Sequence, residues 1–316
     1  MKRQSLIYLD NCVYSRLLEP EFAETRALFA RSNDRLAFSQ VHIIEMQSKR
    51  GEYGELLDDL DTVFIQNSGG EDGYYHPICS VEEGKASLRL LEQYEERSSY
   101  EMMTPIMLTL QHFMGGIRED GIEIIANSAE THIKDTLENL PIENLPVTFN
   151  ESLRKMGGEV DEIIDGLRDV DFEGGWGRID PLVKEARHGD PMRDMHPIQK
   201  VDFLISLLSD KERQGFVETY PKNFAANRLL ENGELAGFAL ALFGMGLTKN
   251  KGEFTGRKQR EFRSQLRDTQ HIEEASRCEV FVTFDKEAAK LARSVFAYAG
   301  FATEVVLLAH TQNGAA

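Results

Sequence analysis

Cysteine is scarce in this 316-residue chain, and the three present, Cys12, Cys79 and Cys278, are odd in number, far apart and never in a Cys-x-x-Cys pair. That arrangement excludes a disulfide framework and a thiolate zinc site, and it predicts a reducing, cytoplasmic setting. Long apolar runs are missing too. The longest, Leu235 to Leu247, is shorter than the roughly 20 residues that cross a bilayer, so it predicts a buried helix and no membrane partner. The start, Met1-Lys2-Arg3, is basic, but the apolar stretch behind it stops at Asp10, too early for the core of a leader peptide. There is no P-loop, no Gly-x-Gly-x-x-Gly fingerprint, no His-Glu-x-x-His and no Gly-x-Ser-x-Gly. The corresponding nucleotide-loop, dinucleotide, zinc-protease and serine-hydrolase readings fall away.

A net positive charge is likewise lacking. Lys and Arg number 36 against 53 Asp and Glu, a formal charge of −17, which excludes a broad basic coat for nucleic acid. The acidity is uneven. Residues 71–250 carry 18 basic and 33 acidic side chains, a balance of −15, whereas residues 251–267 carry a balance of +4.

What is present begins with a strand and helix rhythm. Bulky apolar segments at Ser5–Leu9, Arg35–Phe38 and Thr62–Ile65 read as strands, separated by helical stretches at Glu21–Ser32, from Ser39 through Lys49, and at Glu52–Leu60. The turn cluster Asn67-Ser-Gly-Gly70 closes the third strand. The same pattern returns at the C-terminus: helix Asp268–Arg277, strand Val280–Phe284, helix Lys286–Phe296, strand Glu304–Leu308. Between them the periodicity is helical, over Val81–Glu96, Met102–Ile125, Glu130–Leu140, Val160–Leu167, Pro197–Leu208 and Glu234–Leu247, with long loops at 172–178 and 188–197. The expected fold class is α/β, with a parallel sheet of about five strands and a large, mostly α-helical insertion. The expected division is a discontinuous domain of residues 1–70 and 255–316, with residues 71–254 as a helical subdomain for substrate or partner binding.

Ligands collect outside the carboxyl ends of parallel strands. Asp10 directly follows the first strand, and Asp285 follows the fourth. Glu45 lies one to two turns into the helix leaving the second strand, and Asp268 reaches the same edge if its helix begins there. Four carboxylates crowded together repel unless a cation neutralises them. An oxygen-only set favours Mg²⁺ or Mn²⁺ over zinc, and such an ion supports in-line displacement at a phosphate.

These residues carry a resemblance. The segments IYLDNCVYSRLL at Ile7–Leu18, FSQVHIIEMQ at Phe38–Gln47 and DTQHIEEASRCEVFVTFDKEAAKLA at Asp268–Ala292 resemble the PIN-domain nucleases, the superfamily that includes the VapC-type toxins. The last is the most specific: an Asp opening a helix, a His three residues on, and a strand ending Val-Thr-Phe-Asp-Lys. The resemblance implies a PIN-like α/β/α sandwich and a metal-dependent endoribonuclease. It implies catalytic and metal-holding roles for Asp10, Glu45, Asp268 and Asp285, with Thr283 orienting a ligand or water and Asn11 in a supporting place. Cleavage would leave 5′-phosphate and 3′-hydroxyl ends, and a toxin or phage-defence effector is the implied setting. Many family members read Asp-Thr-Asn where this chain reads Asp10-Asn11-Cys12. The resemblance covers only the two ends of the chain.

The stretch 251–267 supplies candidate phosphate contacts, Arg257, Lys258, Arg260, Arg263 and Arg267, with Arg257 and Arg263 foremost; Phe254 and Phe262 are interleaved. His42 and His271 sit near the carboxylates on apolar helix faces, which predicts packing or hydrogen bonding. His188 and His196, with Asp190 and Asp194, have no metal-site spacing. RNA is the expected substrate, and a regulatory protein or a second copy of the chain is a candidate partner. Two readings compete with it: a structure-specific DNA nuclease, and an inert scaffold of the same fold acting as a protein-interaction module.

Overall fold

Residues 5–67, 74–75, 79–83, 192–231, 233–248 and 259–309 are described by the structure, a computed structural model. Its central sheet holds β1 (Leu6–Leu9), β2 (Arg35–Phe38), β3 (Val63–Asn67), β5 (Cys79–Glu83), β7 (Val280–Thr283) and β8 (Glu304–Leu307) in the order β5-β3-β2-β1-β7-β8. The five strands expected from the sequence are all present and mutually parallel, in the registers Tyr8↔Ala37, Tyr8↔Phe281, Phe38↔Phe64 and Phe281↔Val305. A small second sheet pairs β4 (Tyr74–Tyr75) with β6 (Leu230–Glu231).

Side chains alternate between the two faces of each strand, and successive residues join two different cores with that period of two. Leu9, Leu36, Phe38, Phe64 and Val282 face one core, with Val13, Tyr14 and Leu17 of α1 (Asn11–Leu17) and Tyr53, Leu56 and Leu57 of α4 (Arg50–Asp59). Tyr8, Ala37, Val63, Ile65 and Phe281 face the other. Against that second face pack α9 (Gln259–Ala275) and α10 (Lys286–Ala299), and on those two helices lie α5 (Pro197–Ser206) and α8 (Glu234–Gly244), all within the same core. The result is helix, sheet, helix in three layers. The chain leaves β1 toward β2 and β3 on one side, and β7 lies on the other side of β1. The topological switch point therefore falls between β1 and β7, where ligands of open α/β sheets bind.

The structure corrects two sequence expectations. Residues 81–83 form the end of β5, not the start of a helix; β5 returns antiparallel along β3 from Asn67↔Cys79 to Val63↔Glu83, pairing the edge that β3 would otherwise leave open. Asp268 lies in the interior of α9, which begins at Gln259, so it does not open a helix. Val201, Leu204 and Ile205 of α5 and Leu235, Phe238 and Leu242 of α8 share one core with Tyr8 and Phe281. An apolar helix such as LAGFALALFG needs burial on most sides, and α9 and α10, packed against it, provide much of it.

The expected helices at 102–125, 130–140 and 160–167, the loop at 172–178, and His188 and Asp190 lie outside the described residues. Among the described residues no helix is long and apolar enough to cross a membrane.

Candidate active site

Asp10 follows β1 directly and starts α1, with its own carbonyl accepting from Val13 N–H at 2.8 Å. Its carboxylate is almost fully buried and held from β7: Thr283 Oγ1 donates to Oδ2 at 2.6 Å, and Cys12 Sγ donates to the same oxygen at 3.1 Å. Thr283 is itself fixed, because its hydroxyl accepts from Asp285 N–H at 3.0 Å. Burial first, and the Asp10 carboxylate second, push the Cys12 thiol well up, so it stays neutral and donates to Asp10 while its sulfur accepts from Phe284 N–H at 3.4 Å.

Asp285 caps α10. Its Oδ1 accepts from Glu287 N–H at 2.7 Å and Ala288 N–H at 3.2 Å, satisfying two of the orphan amides at the helix start. Asp268 arrives from the side. α9 packs against α3 (Gln40–Glu45), β1 and β7, and carries Asp268 past the carboxyl edge of the sheet. Burial, followed by the Asp10 charge and, less strongly, by Asp285 and Glu45, drives the Asp268 carboxyl well above the usual aspartate range, against a smaller opposing pull from His271.

Glu45 ends α3. Burial alone would raise its carboxyl, but His271 and Arg267 outweigh that and hold it below the usual glutamate range. His271 Nε2 lies 2.8 Å from Oε2, and Arg267 Nη1 lies 3.5 Å from Oε1. For His271, burial opposes the charged form, and the Glu45 hydrogen bond and charge overcome it, so its pKa rises. His42 behaves oppositely. Burial, with His271 beside it, lowers its pKa well below the usual value. Ser39 N–H donates to His42 Nδ1 at 3.0 Å, so Nε2 carries the hydrogen and donates to the Leu9 carbonyl at 2.8 Å. Both histidines have the buried hydrogen-bonding role read from the sequence.

Asp10, Glu45, Asp268 and Asp285 all line one cavity of about 560 Å³, and Asn11 lines it with them. Glu19 and Glu287 add acid to the wall; Arg16, paired with Glu19 at 3.0 Å, is the basic residue among the lining. Sequence reasoning missed Cys12, Thr248 and Gln265 as lining residues. Gln265 stands three residues before Asp268 on the same helix, a spacing that places both on one face and that was available to find it. Of the basic candidates, Arg257 and Lys258 lie outside the described residues, and the side chains of Arg260 and Arg263 on α9 do as well. Arg267 is turned onto Glu45.

The donor set suits a hard cation. Asn11 Oδ1, Thr248 Oγ1 and Gln265 Oε1 are buried oxygens without a hydrogen-bond partner among the described residues, and all three residues line this cavity. Unspent buried oxygens next to crowded carboxylates call for a positive ligand or its water shell. Among the described residues no three His, Cys, Asp or Glu side chains stand close enough to form a ready-made cage. Mg²⁺ rarely uses such a cage; it keeps several waters and takes one or two carboxylates.

No protein-family model, no curated protein and no solved structure matches this chain.

Proposed function

We propose that the protein is a cytoplasmic, Mg²⁺- or Mn²⁺-dependent endoribonuclease of PIN type. One observation carries the reading: four carboxylates from four separate segments line a single cavity at the carboxyl rim of a parallel sheet, beside its switch point. The raised Asp268 carboxyl supports it, because a scaffold has no use for a charge that its neighbours penalise.

Asp10, Asp268 and Asp285 are the residues to hold the ion, with Glu45 completing the acidic wall. A bound divalent ion supplies activation of water and neutralisation of the charge that builds up in an in-line displacement at phosphorus. The chain's own residues do the rest. Thr283 and Cys12 aim the Asp10 carboxylate, and the start of α10 fixes Asp285. The cavity is far too acidic for a phosphodiester to approach without cations, so the wall itself makes hydrolysis ion-dependent. Cys12 and Cys278 are free thiols, which supports the reducing compartment.

The test is end-mapping of RNA from cells expressing the wild type and Asp10→Asn. New 5′-phosphate ends at a shared sequence or structure, present only with the wild type, support the reading. Identical end maps sink it, and new ends in DNA alone redirect it to a DNA nuclease.

A further inference from the structure

Glu45 does not share the situation of the other three carboxylates. Both of its oxygens face basic side chains, His271 at 2.8 Å and Arg267 at 3.5 Å. The pairing continues inward through fully buried groups. His271 Nδ1 lies 2.8 Å from Tyr8 Oη, which in turn lies 2.9 Å from Ser39 Oγ and 3.3 Å from His42 Nδ1. His42 Nε2 then donates to the carbonyl of Leu9, the residue before Asp10.

Three elements are joined by this chain of hydrogen bonds. β1 contributes Tyr8 and Leu9, α3 contributes His42 and Glu45 with Ser39 at its start, and α9 contributes Arg267 and His271. Asp268 lies between the two α9 partners of Glu45 in the sequence. The path thus runs from the peptide group beside Asp10 to the turn of helix that carries Asp268. His271 Nε2 donates to Glu45, and its Nδ1 shares a hydrogen bond with Tyr8 Oη, which is bonded in turn to Ser39 and His42. A carboxylate so engaged is a poor ion ligand, because ligation would take it from the Arg267 guanidinium and leave a buried imidazole N–H without its acceptor.

We propose that Glu45 is a positioning residue and not a ligand of the cation: through His271 and Tyr8 it locks α9, and with it Asp268, against the strand that presents Asp10. The assignment rests on the ion-dependent hydrolase reading above and narrows the ligand set to Asp10, Asp268 and Asp285.

Infrared difference spectra on adding Mn²⁺ alone test it on the intact protein, with ¹³C carboxylates placed either in all aspartates or in all glutamates. The aspartate-labelled protein should show shifted carboxylate bands, and the glutamate-labelled protein should show none that Glu45→Gln removes. A glutamate band that disappears in Glu45→Gln overturns the assignment, and so does the lack of any Mn²⁺-dependent band in either sample. Hydrolysis of bis(p-nitrophenyl) phosphate in Mn²⁺ provides the second readout. Glu45→Ala and His271→Phe should each lower kcat about tenfold with KM unchanged, and the double variant should fall no further, as for two residues acting as one unit. Additive losses contradict a shared positioning role. If the wild type hydrolyses neither this ester nor RNA, the hydrolase reading fails, and the infrared result still decides whether Glu45 holds the ion.

Discussion

The hydroxyl of Thr283 donates to Asp10 and accepts from the amide of Asp285, so one buried group ties two of the proposed ligands together. Thr283→Val keeps the shape and removes both bonds, leaving a buried carboxylate oxygen short of a donor. It should lower stability by about 1–3 kcal/mol in urea denaturation and depress cleavage, whereas Thr283→Ser should retain most of both. Asp268 makes the opposite prediction for the ion-free protein. Its folded pKa is raised, so the stability linked to its protonation is complete below the unfolded aspartate pKa and is lost as pH rises through the folded value. Asp268→Asn should therefore stabilise the ion-free protein by about 1–2 kcal/mol near pH 8, with the gain vanishing near pH 3.5. Melting curves across that range check the sign. Asp10 and Asp285 were legible because a polar residue right after a buried strand has few places to go but the rim. Thr248 was not, since nothing in a lone Thr after an apolar helix says which cavity it lines.

Asp285 is at once an N-cap and a proposed ligand, and the two roles can be separated at the level of α10. Asp285→Asn keeps a capping oxygen for Glu287 and Ala288, so stability should hold within a few tenths of a kcal/mol while ion-dependent activity falls; Asp285→Ala should cost about 1 kcal/mol in addition. Chemical denaturation paired with an activity assay distinguishes them. The five parallel strands were legible from their apolar runs and flanking polar residues. β5 was not, because Cys-Ser-Val-Glu-Glu has little strand character of its own and is recruited by the open edge of β3. α6 (Asp210–Thr219) was overlooked although its signature was in view: Ser209 and Glu212 form a capping box, with Ser209 N–H donating to Glu212 Oε2 at 2.9 Å. Asp268 was linked to the site through a helix start that does not exist. The helix begins earlier and passes alongside the rim.

At the scale of the molecule, the sheet and the helices α5 and α8 share one core among the described residues. Phe238 is fully buried and stacks on Tyr298 of α10, with ring centroids 5.4 Å apart, and Tyr298 Oη donates to the carbonyl of Tyr220 at 3.3 Å. Deleting residues 71–254 would uncover the faces of α9 and α10 that α5 and α8 bury, and each buried Leu or Phe contributes about 1.5–3 kcal/mol. The shortened chain should show no cooperative thermal transition; a sharp transition with native near-ultraviolet circular dichroism would mean that the ends fold alone. This integration was hidden in the sequence, because helical periodicity shows that a face is apolar but not which surface covers it. The charge of −17 is better resolved at this scale: part of it converges on one wall of a cavity.

The most direct measurement is cleavage of matched, end-labelled RNA and DNA by the purified protein in Mn²⁺, with EDTA and with the Asp10→Asn, Asp285→Asn double variant. RNA should be cut to products with 5′-phosphate ends, EDTA should stop the reaction, and the double variant should lose at least about a hundredfold in rate, as expected when charge-stabilising groups are removed from a reacting centre. Cleavage that survives both EDTA and the double substitution, or no cleavage of either polymer by the wild type in Mn²⁺, would contradict the account.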